Sequence, residues 1–411
     1  MQIIYKEFQI FSARCNEAIS IAKKGELNDA LERLSKLAED INTVIAIWEQ
    51  SKLTKEIQSS GSNNSQPVQI PSWMTFDSET HKFVKYLRAL VQYNMALLLY
   101  YQEKLDEAID KLRVVDPLDS FIDPQLFLSH ILNLKGVILL RLDPFKTAIQ
   151  YLDESNLTMI NFDALNNKGI CNAEIGETRT AIDDLREAIK MGKSEIENEV
   201  LQDMKDKRLP KVAKATFNLA FAYFIIGYKE EAFDSVTGGL AELLKKANKQ
   251  TYSIYDKFDE WLQSVMTSFN PSSRDLYIIA LILYEKSEKS ALKVIDKGIA
   301  LDEPDTPYLW YQRGNIYLKQ KDYSEALRCY NRAAELNPPI AEAHNNAAVV
   351  LAHERNYHES QRELTKAIEI NPSLAVVHEN LVKLTVKNTA KSQDFWQFWG
   401  SSKKETFCYC T

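Results

Sequence analysis

One pattern occurs twice between residues 307 and 374, with a spacing of 34 residues, and it limits the folds open to this chain. The first copy has small and bulky residues at helical spacing, namely Trp310, Gly314, Tyr317, Ala326, Tyr330 and Ala333, and then Pro338. The second copy has His344, Ala348, Leu351, Ser360, Leu364 and Ala367, and then Pro372. Small residues at fixed places allow two helices to approach closely, and proline ends a helix because its nitrogen has no hydrogen to donate. The pattern therefore predicts two successive pairs of helices.

This pattern resembles the tetratricopeptide repeat (TPR), a helix-turn-helix unit with this period. A single unit cannot bury its apolar faces alone, so the resemblance implies further copies along the chain. They are found as a small residue followed eleven or twelve positions later by alanine: Ala18 with Ala30, Ala96 with Ala108, Gly136 with Ala148, Gly169 with Ala181, Ala220 with Ala232, and Ala280 with Ala291. Arg313, Lys135 and Lys168 depart from the family, which usually has an apolar residue at that place.

The resemblance extends from about residue 11 to about residue 386 and implies the fold. We expect an all-α protein, an α-solenoid in which about eight TPR-like repeats form a right-handed superhelix that ends in a C-terminal capping helix. Scarce glycine and proline, twelve of each, agree with an all-helical chain.

Breaks in the repeat pattern predict six segments. They are an N-terminal helical pair at 1–49, a flexible linker at 50–82, a TPR array at 83–191, a repeat with inserted helices at 192–272, C-terminal repeats with the capping helix at 273–387, and an aromatic and basic tail at 388–411. The linker contains SSGSNNSQP, which has too few apolar residues to offset the entropy lost on ordering. Within the fourth segment, an additional helix is predicted by the spacing of Trp261, Leu262, Val265 and Phe269.

The tail at 388–411 allows three interpretations. Disorder is the expected one. Packing of FWQFW against the final repeat is the second, because aromatic residues gain much from burial. Contact with a membrane or a partner is the third, since Lys403 and Lys404 follow the aromatics and Cys408 stands fourth from the end, as in a prenylation motif. The last three residues, Tyr409 to Thr411, fit that motif poorly and disfavour lipidation.

Charge and cysteine content narrow the class of protein. The net charge of −7 argues against a nucleic-acid-binding surface, which needs clustered lysine and arginine. The five cysteines are an odd number scattered along predicted helices, so a disulfide framework is not expected and a cytoplasmic location is favoured. The N-terminal residues lack the apolar centre of a secretory signal.

The sequence predicts no catalytic residue, metal site or cofactor, and so no enzyme. His353, Glu354 and His358 resemble a zinc-protease motif, but these histidines are five residues apart instead of four. On a helix this separation turns them about 140° away from each other, too far to share one metal ion. For His344 and His378, which repeat at the period of the fold, packing is the expected role.

Amide side chains form the candidate binding site. An amide stands two residues before the small residue of the first helix in most copies, and the resemblance implies that this position faces the concave side of the superhelix. The predicted peptide-binding residues are Asn94, Asn167, Asn218, Gln312, Asn315, Asn346 and Asn380. A carboxamide both donates and accepts hydrogen bonds, as a peptide backbone does. The open alternative is that these amides bond to the adjacent helix instead.

One known TPR binding mode is disfavoured. Asn315 and Asn346 match the asparagines of the family's clamp for acidic chaperone tails, but Tyr311, Val376 and Asn380 replace its basic residues. The leading hypothesis is a non-catalytic adaptor that binds an extended peptide or helix of a protein partner. The alternatives are an architectural subunit that uses its outer faces and inserted helices, and a non-catalytic partner of an enzyme on another chain. Oligomeric state and partner identity are not predicted.

Overall fold

A computed structural model of the chain describes residues 2–59, 78–115, 124–142, 144–303, 305–337 and 339–389. All regular structure in these ranges is helical, which confirms the predicted all-α fold. The chain divides into two compact units, residues 1–184 and residues 185–411. The six segments predicted from the repeat breaks are finer than this division and stay a prediction.

The described part of unit 1 contains the first helices of the chain. They are α1 (Gln2–Lys23), α2 (Leu27–Ser59), α3 (Ser78–Tyr101), α4 (Leu105–Arg113), α5 (Pro124–Arg141), α6 (Phe145–Thr158), α7 (Phe162–Glu174) and the first part of α8 (Thr178–Asn198). α2 continues to Ser59 and α3 begins at Ser78, so helix enters the predicted linker from both sides. The intervening residues 60–77 lie outside the described part of the chain.

Unit 2 begins within α8 and contains the remaining helices. They are α9 (Gln202–Ile225), α10 (Lys229–Asp234), a π-helical turn (Ser235–Gly239), α11 (Leu240–Lys246), α12 (Phe258–Phe269), α13 (Ser273–Tyr284), α14 (Glu288–Ile299), α15 (Thr306–Lys319), α16 (Tyr323–Glu335), α17 (Ala341–His353), α18 (Tyr357–Ile370) and α19 (Ala375–Thr389). α12 is the additional helix predicted from its spacing, and its four predicted residues are buried. α19 packs on α18 and α17 at the end of the described residues, as expected of a capping helix.

The small residues that identified the repeats all lie where two helices meet. In the described residues, the alanines at these positions and Ser360 are at most 1% exposed: Ala18, Ala30, Ala96, Ala108, Ala148, Ala181, Ala220, Ala232, Ala280, Ala291, Ala326 and Ala348. A Cβ atom at Gly136 would be 2.6 Å from Leu152 Cγ. Close helix approach thus explains the small residues, and the eight predicted helical pairs are present in the described residues.

In six of the helical pairs, the turn contains a residue in the same unusual backbone conformation. Seven residues after the small residue of the first helix, the backbone is left-handed, with a positive φ. Glycine takes this position three times, at Gly25, Gly176 and Gly227, and a charged residue takes it three times, at Glu103 (φ 60°), Lys321 (φ 63°) and Arg355 (φ 64°). Only glycine adopts this conformation without steric cost. The shared backbone shows that one turn geometry recurs in both units.

Candidate functional site

Three helices of unit 2 are joined through the side chains of Asn315 and Asn346. Asn346 of α17 donates from Nδ2 to Asn315 Oδ1 of α15 (3.0 Å) and to the Tyr311 hydroxyl (3.2 Å). Tyr330 of α16 donates its hydroxyl hydrogen to the same Asn315 oxygen at 2.8 Å. The small residue Gly314 permits this contact, because it lets the Tyr330 ring lie directly on α15.

The hydrogen bonds continue in both directions. Asn315 Nδ2 donates to Gln312 Oε1 (3.2 Å), Asn345 Nδ2 donates to Asn346 Oδ1 (3.1 Å), and Asn380 Nδ2 of α19 donates to Asn345 Oδ1 (2.8 Å). We call these seven residues the amide network: Tyr311, Gln312, Asn315, Tyr330, Asn345, Asn346 and Asn380. It connects the first helices of two successive repeats with the capping helix.

Burial separates the predicted residues into two kinds. Gln312 is 1% exposed, and Asn218 and Asn380 are each 7% exposed, so their side chains serve contacts inside unit 2. Gln312 Nε2 is buried and has no hydrogen-bond partner. Asn315 and Asn346 are half-buried and so are accessible from one side. The bonds between neighbouring helices agree with the alternative reading of the amides, and the half-exposure of Asn315 and Asn346 leaves room for a ligand.

Two predicted residues belong to unit 1. Asn94 is half-buried and donates to the carbonyl oxygen of Leu90 in its own helix at 2.8 Å. Asn167 of α7 donates to Asn133 Oδ1 of α5 at 3.1 Å, which joins the first helices of two successive repeats. Asn133 lies one residue from the position that the sequence pattern marks with an amide in other copies. Unit 1 thus contains an amide pair that resembles the amide network on a smaller scale.

Tyrosine rings lie beside the amide network. The rings of Tyr277 and Tyr308, both half-buried, have centroids 6.0 Å apart and connect α13 to α15. The rings of Tyr311 and Tyr330 are also 6.0 Å apart. Val349, one turn after Asn345 on α17, is half-buried. Amides and apolar surface therefore lie next to each other on the first helices of unit 2.

The charged residues at the usually apolar repeat position have specific partners. Arg313 forms an ion pair with Asp296 of the preceding second helix. Lys168 Nζ lies 2.8 Å from Asp153 Oδ1 and 3.2 Å from Asp184 Oδ1. Burial acts to lower the pKa of Lys168, but the hydrogen bond to Asp153 and the charge of Asp184 outweigh it and raise the pKa. In two repeats, an ion pair thus replaces the usual apolar contact.

The third such residue, Lys135, has an aromatic neighbour. Its ammonium group lies 5.7 Å from the centroid of the Tyr151 ring, within range of a cation–π contact. Burial lowers the pKa of Lys135, and the nearby charge of Glu154 only partly opposes this effect.

Two of the histidines, His344 and His353, contact side chains of neighbouring helices. His344 Nδ1 lies 2.6 Å from Glu363 Oε2, and both side chains are about one-tenth exposed. Because a carboxylate can only accept, the imidazole nitrogen donates this hydrogen bond. The centroid of the His353 ring lies 4.1 Å from that of the Tyr323 ring.

Among the described residues, no group of three or more His, Cys, Asp or Glu side chains could hold a metal ion. In the same part of the chain, none of the helices is both long and apolar enough to cross a lipid bilayer.

Comparison with known proteins agrees with this geometry. The family described as "Tetratricopeptide repeat" matches twice, at residues 307–339 and at residues 341–374. These ranges contain α15 to α18, and therefore most of the amide network. No sequence among curated proteins matches the chain significantly.

Several solved structures are similar to the chain at low sequence identity. A tetratricopeptide repeat protein from Parabacteroides merdae is 15% identical, with 72% of this chain and 98% of that chain covered and a TM-score of 0.46. The apo form of the quorum sensor NprR from B. thuringiensis is 16% identical, with 76% and 85% covered and a TM-score of 0.49. Yeast Tom70 is 13% identical, with 95% and 85% covered and a TM-score of 0.41. Two repeats are matched by sequence, and the other described helical pairs are built around the same kind of buried small residue, so this chain contains tetratricopeptide repeats.

Proposed function

We propose that this chain is a non-catalytic adaptor that binds an extended segment of a protein partner on the amide network of unit 2. TPR proteins in general bind protein partners, and the two matched repeats contain the proposed surface. The observation that carries the proposal is the half-exposed pair Asn315 and Asn346, which lies at the centre of a continuous line of hydrogen-bonded amides.

Both asparagines keep hydrogen-bonding capacity. A carboxamide can donate two hydrogen bonds and accept two. Asn315 donates one, to Gln312, and Asn346 accepts one, from Asn345. The remaining N–H of Asn315 and the remaining lone pair of Asn346 match the carbonyl and amide groups of a peptide backbone. Such contacts do not depend on the side chains of the peptide, so they suit an extended segment.

The surrounding network prepares these groups for binding. Neighbouring side chains already hold Asn315 and Asn346, so little rotamer entropy would be lost when a ligand bonds to them. The half-buried rings of Tyr277 and Tyr308 and the side chain of Val349 would contact apolar side chains of the ligand.

The test begins with selection of peptides from a random displayed library on the purified chain. Fluorescence anisotropy then measures binding of the selected peptides to the native chain and to a chain with Asn315→Ala and Asn346→Ala. We expect the double variant to lose about tenfold or more in affinity, because hydrogen-bonded contacts at a shielded site contribute about 1 kcal/mol each. Tyr308→Ala should also weaken binding.

The matched control is Asn331→Ala, which changes an exposed asparagine on α16. This variant should bind with native affinity. Circular dichroism melting of each variant separates loss of the site from loss of folding. Selection of no peptide, or equal affinity of native chain and double variant, would refute the site and favour an architectural role for the outer faces.

A further inference from the structure

A cleft lies on unit 2, on helices that do not take part in the amide network. It has a volume of about 490 Å³ and lies between the C-terminal half of α8 and helices α9 and α11. Its lining residues are Arg186, Ile189, Lys190, Lys193, Ser194, Glu197, Leu219, Glu242 and Lys246. Ile189 and Leu219 are 7% and 8% exposed and form an apolar floor.

The inserted residues build this cleft. α8 has 21 residues, whereas α16 and α18, the second helices of the two matched repeats, have 13 and 14. The distance from Gly169 to Ala220 is 51 residues, which exceeds the period of 34 by 17. The extra length of α8 carries Lys193, Ser194 and Glu197 beside α11. The cleft is therefore a feature of this chain, added to the ordinary repeat.

Charge in the cleft is positive although the chain as a whole is acidic. Four lining residues are basic and two are acidic, a surplus of two positive charges, whereas the whole chain has a net charge of −7. Both carboxylates form ion pairs within the cleft: Lys193 Nζ lies 2.5 Å from Glu242 Oε2, and Lys246 Nζ lies 2.8 Å from Glu197 Oε2. These pairs cross from α8 to α11 and hold the walls together.

The surplus charge is on Arg186 and Lys190, one turn apart on α8. Both residues are exposed, and among the described residues no carboxylate bonds to either. The guanidinium group of Arg186 lies 5.5 Å from the centroid of the Tyr223 ring, and a guanidinium that contacts an aromatic ring keeps its N–H groups as donors for an anion. This end of the cleft is therefore suited to carboxylates.

Exposed apolar residues follow the other end of the cleft, in the connection between α8 and α9. Glu197 and Lys246 lie beside the connection from α8 to α9, where Gln202 Nε2 donates to the carbonyl oxygen of Ala247 at 3.1 Å. In this connection, Val200 is 90% exposed and Leu201 is 59% exposed. Met204, one turn into α9, is 43% exposed. From Arg186 to Glu197, α8 rises by about 16 Å, the length of about five extended residues.

We propose that this cleft binds a short polypeptide segment of a partner, with acidic residues at the Arg186 and Lys190 end and apolar residues at the Val200 and Leu201 end. Carboxylates complement the surplus positive charge, and apolar side chains cover the exposed residues of the connection. A nucleic acid fits less well, because the floor is apolar, exposed apolar residues follow one end of the cleft, and the chain is acidic overall. This site is separate from the amide network and does not rest on the function proposed above.

The experiment uses two fluorescein-labelled peptides, each with one block of glutamates and one block of leucines and valines, in opposite orders. Anisotropy titration measures their affinity for the full chain. Reversal of both charges, Arg186→Glu with Lys190→Glu, should weaken the better peptide by about tenfold or more, since like charges then face its glutamates. Leu201→Ser with Val200→Ser should weaken it by several-fold, because apolar contact area is lost. Both pairs are exposed, so folding should be retained.

A matched control separates the site from bulk charge. Lys289→Glu with Lys297→Glu changes the net charge by the same amount on exposed positions of α14, and affinity should stay within about twofold. The Asn315→Ala and Asn346→Ala variant should bind the probe with native affinity. If the Arg186 and Lys190 variant and the Lys289 and Lys297 variant lost peptide affinity equally, the proposed site would be refuted. A labelled oligothymidine that binds more tightly than either peptide, and is lost with Arg186 and Lys190, would overturn the assignment to polypeptide.

Discussion

Gly314 lies directly against the ring of Tyr330: a Cβ atom at residue 314 would be 2.5 Å from the Cε1 carbon of that ring. Tyr330 is fully buried, and its hydroxyl is bonded to Asn315, so the ring has no space to withdraw. The missing side chain at residue 314 thus sets the distance between α15 and α16. It also brings Asn315, the next residue, within reach of the tyrosine.

Gly314→Ala should destabilise this helical pair. Overpacking against a fixed ring costs about 1–3 kcal/mol, whereas alanine regains about 1 kcal/mol of helix propensity, so a net loss of up to about 2 kcal/mol is expected. Hydrogen exchange with mass spectrometry of peptides from α15 and α16 measures this local loss without assuming two-state unfolding of the whole array.

Gly238→Ala is the control for that substitution. No atom lies within 4 Å of a Cβ at residue 238, so this variant should be neutral or slightly stabilising. Slower exchange in Gly314→Ala than in the native chain would show that the ring moves aside and would contradict the fixed packing.

Lys168→Met should destabilise the helices around α7. The lysine is 20% exposed and lies between two carboxylates, and its removal leaves Asp153 and Asp184 without their shared cation. Removing the partner of a partly buried charge lowers the free energy of unfolding by about 1–3 kcal/mol, and methionine restores only the apolar contacts. Backbone hydrogen exchange in α6 and α7 should therefore be faster in Lys168→Met than in the native chain. The control Lys146→Met, at an exposed position of α6, should leave the rate of hydrogen exchange unchanged. Equal effects of the two substitutions would mean that the ion pairs add nothing to stability.

Acid should weaken the packing of α17 on α18 through Glu363. The hydrogen bond from His344 and the one from Lys366 hold the pKa of this carboxyl below its usual value of 4.5. A lowered pKa in the folded state stabilises the protein above the unfolded pKa, and this contribution is lost as pH falls through the folded pKa. The native chain should therefore lose more stability than Glu363→Gln between about pH 5 and about pH 3. Thermal melts at several pH values compare the two chains, and parallel curves would contradict the prediction.

The buried thiols should be unreactive in the folded protein. Burial raises the pKa of Cys171 to about 12 and that of Cys329 to about 11, so almost no thiolate is present near neutral pH. Alkylation with iodoacetamide followed by site-resolved mass spectrometry should show little label at Cys171 and Cys329 until urea is added. Rapid native labelling of either residue would show that its helical pair opens readily.

The repeat pattern by itself determined most of the fold. Helical pairing follows from local spacing, because small residues such as Ala96 and Ala108 can recur at fixed intervals only where two helices touch. The additional helix α12 was likewise predicted from the spacing of residues Trp261 to Phe269. The repeated left-handed turn was harder to predict, since Lys321 and Arg355 occupy it without the glycine that usually marks such a position.

Tertiary structure alone decided what the polar residues contact. Amides at the same repeat position look equivalent in sequence, yet Asn380 is buried and Asn346 is half-exposed, because exposure depends on which helices cover each one. Arg313 forms an ion pair with Asp296 on the preceding helix, and Lys193 forms one with Glu242, which is 49 residues away in sequence. Local periodicity is set by each helix, whereas such partners are set by the way that successive helices stack.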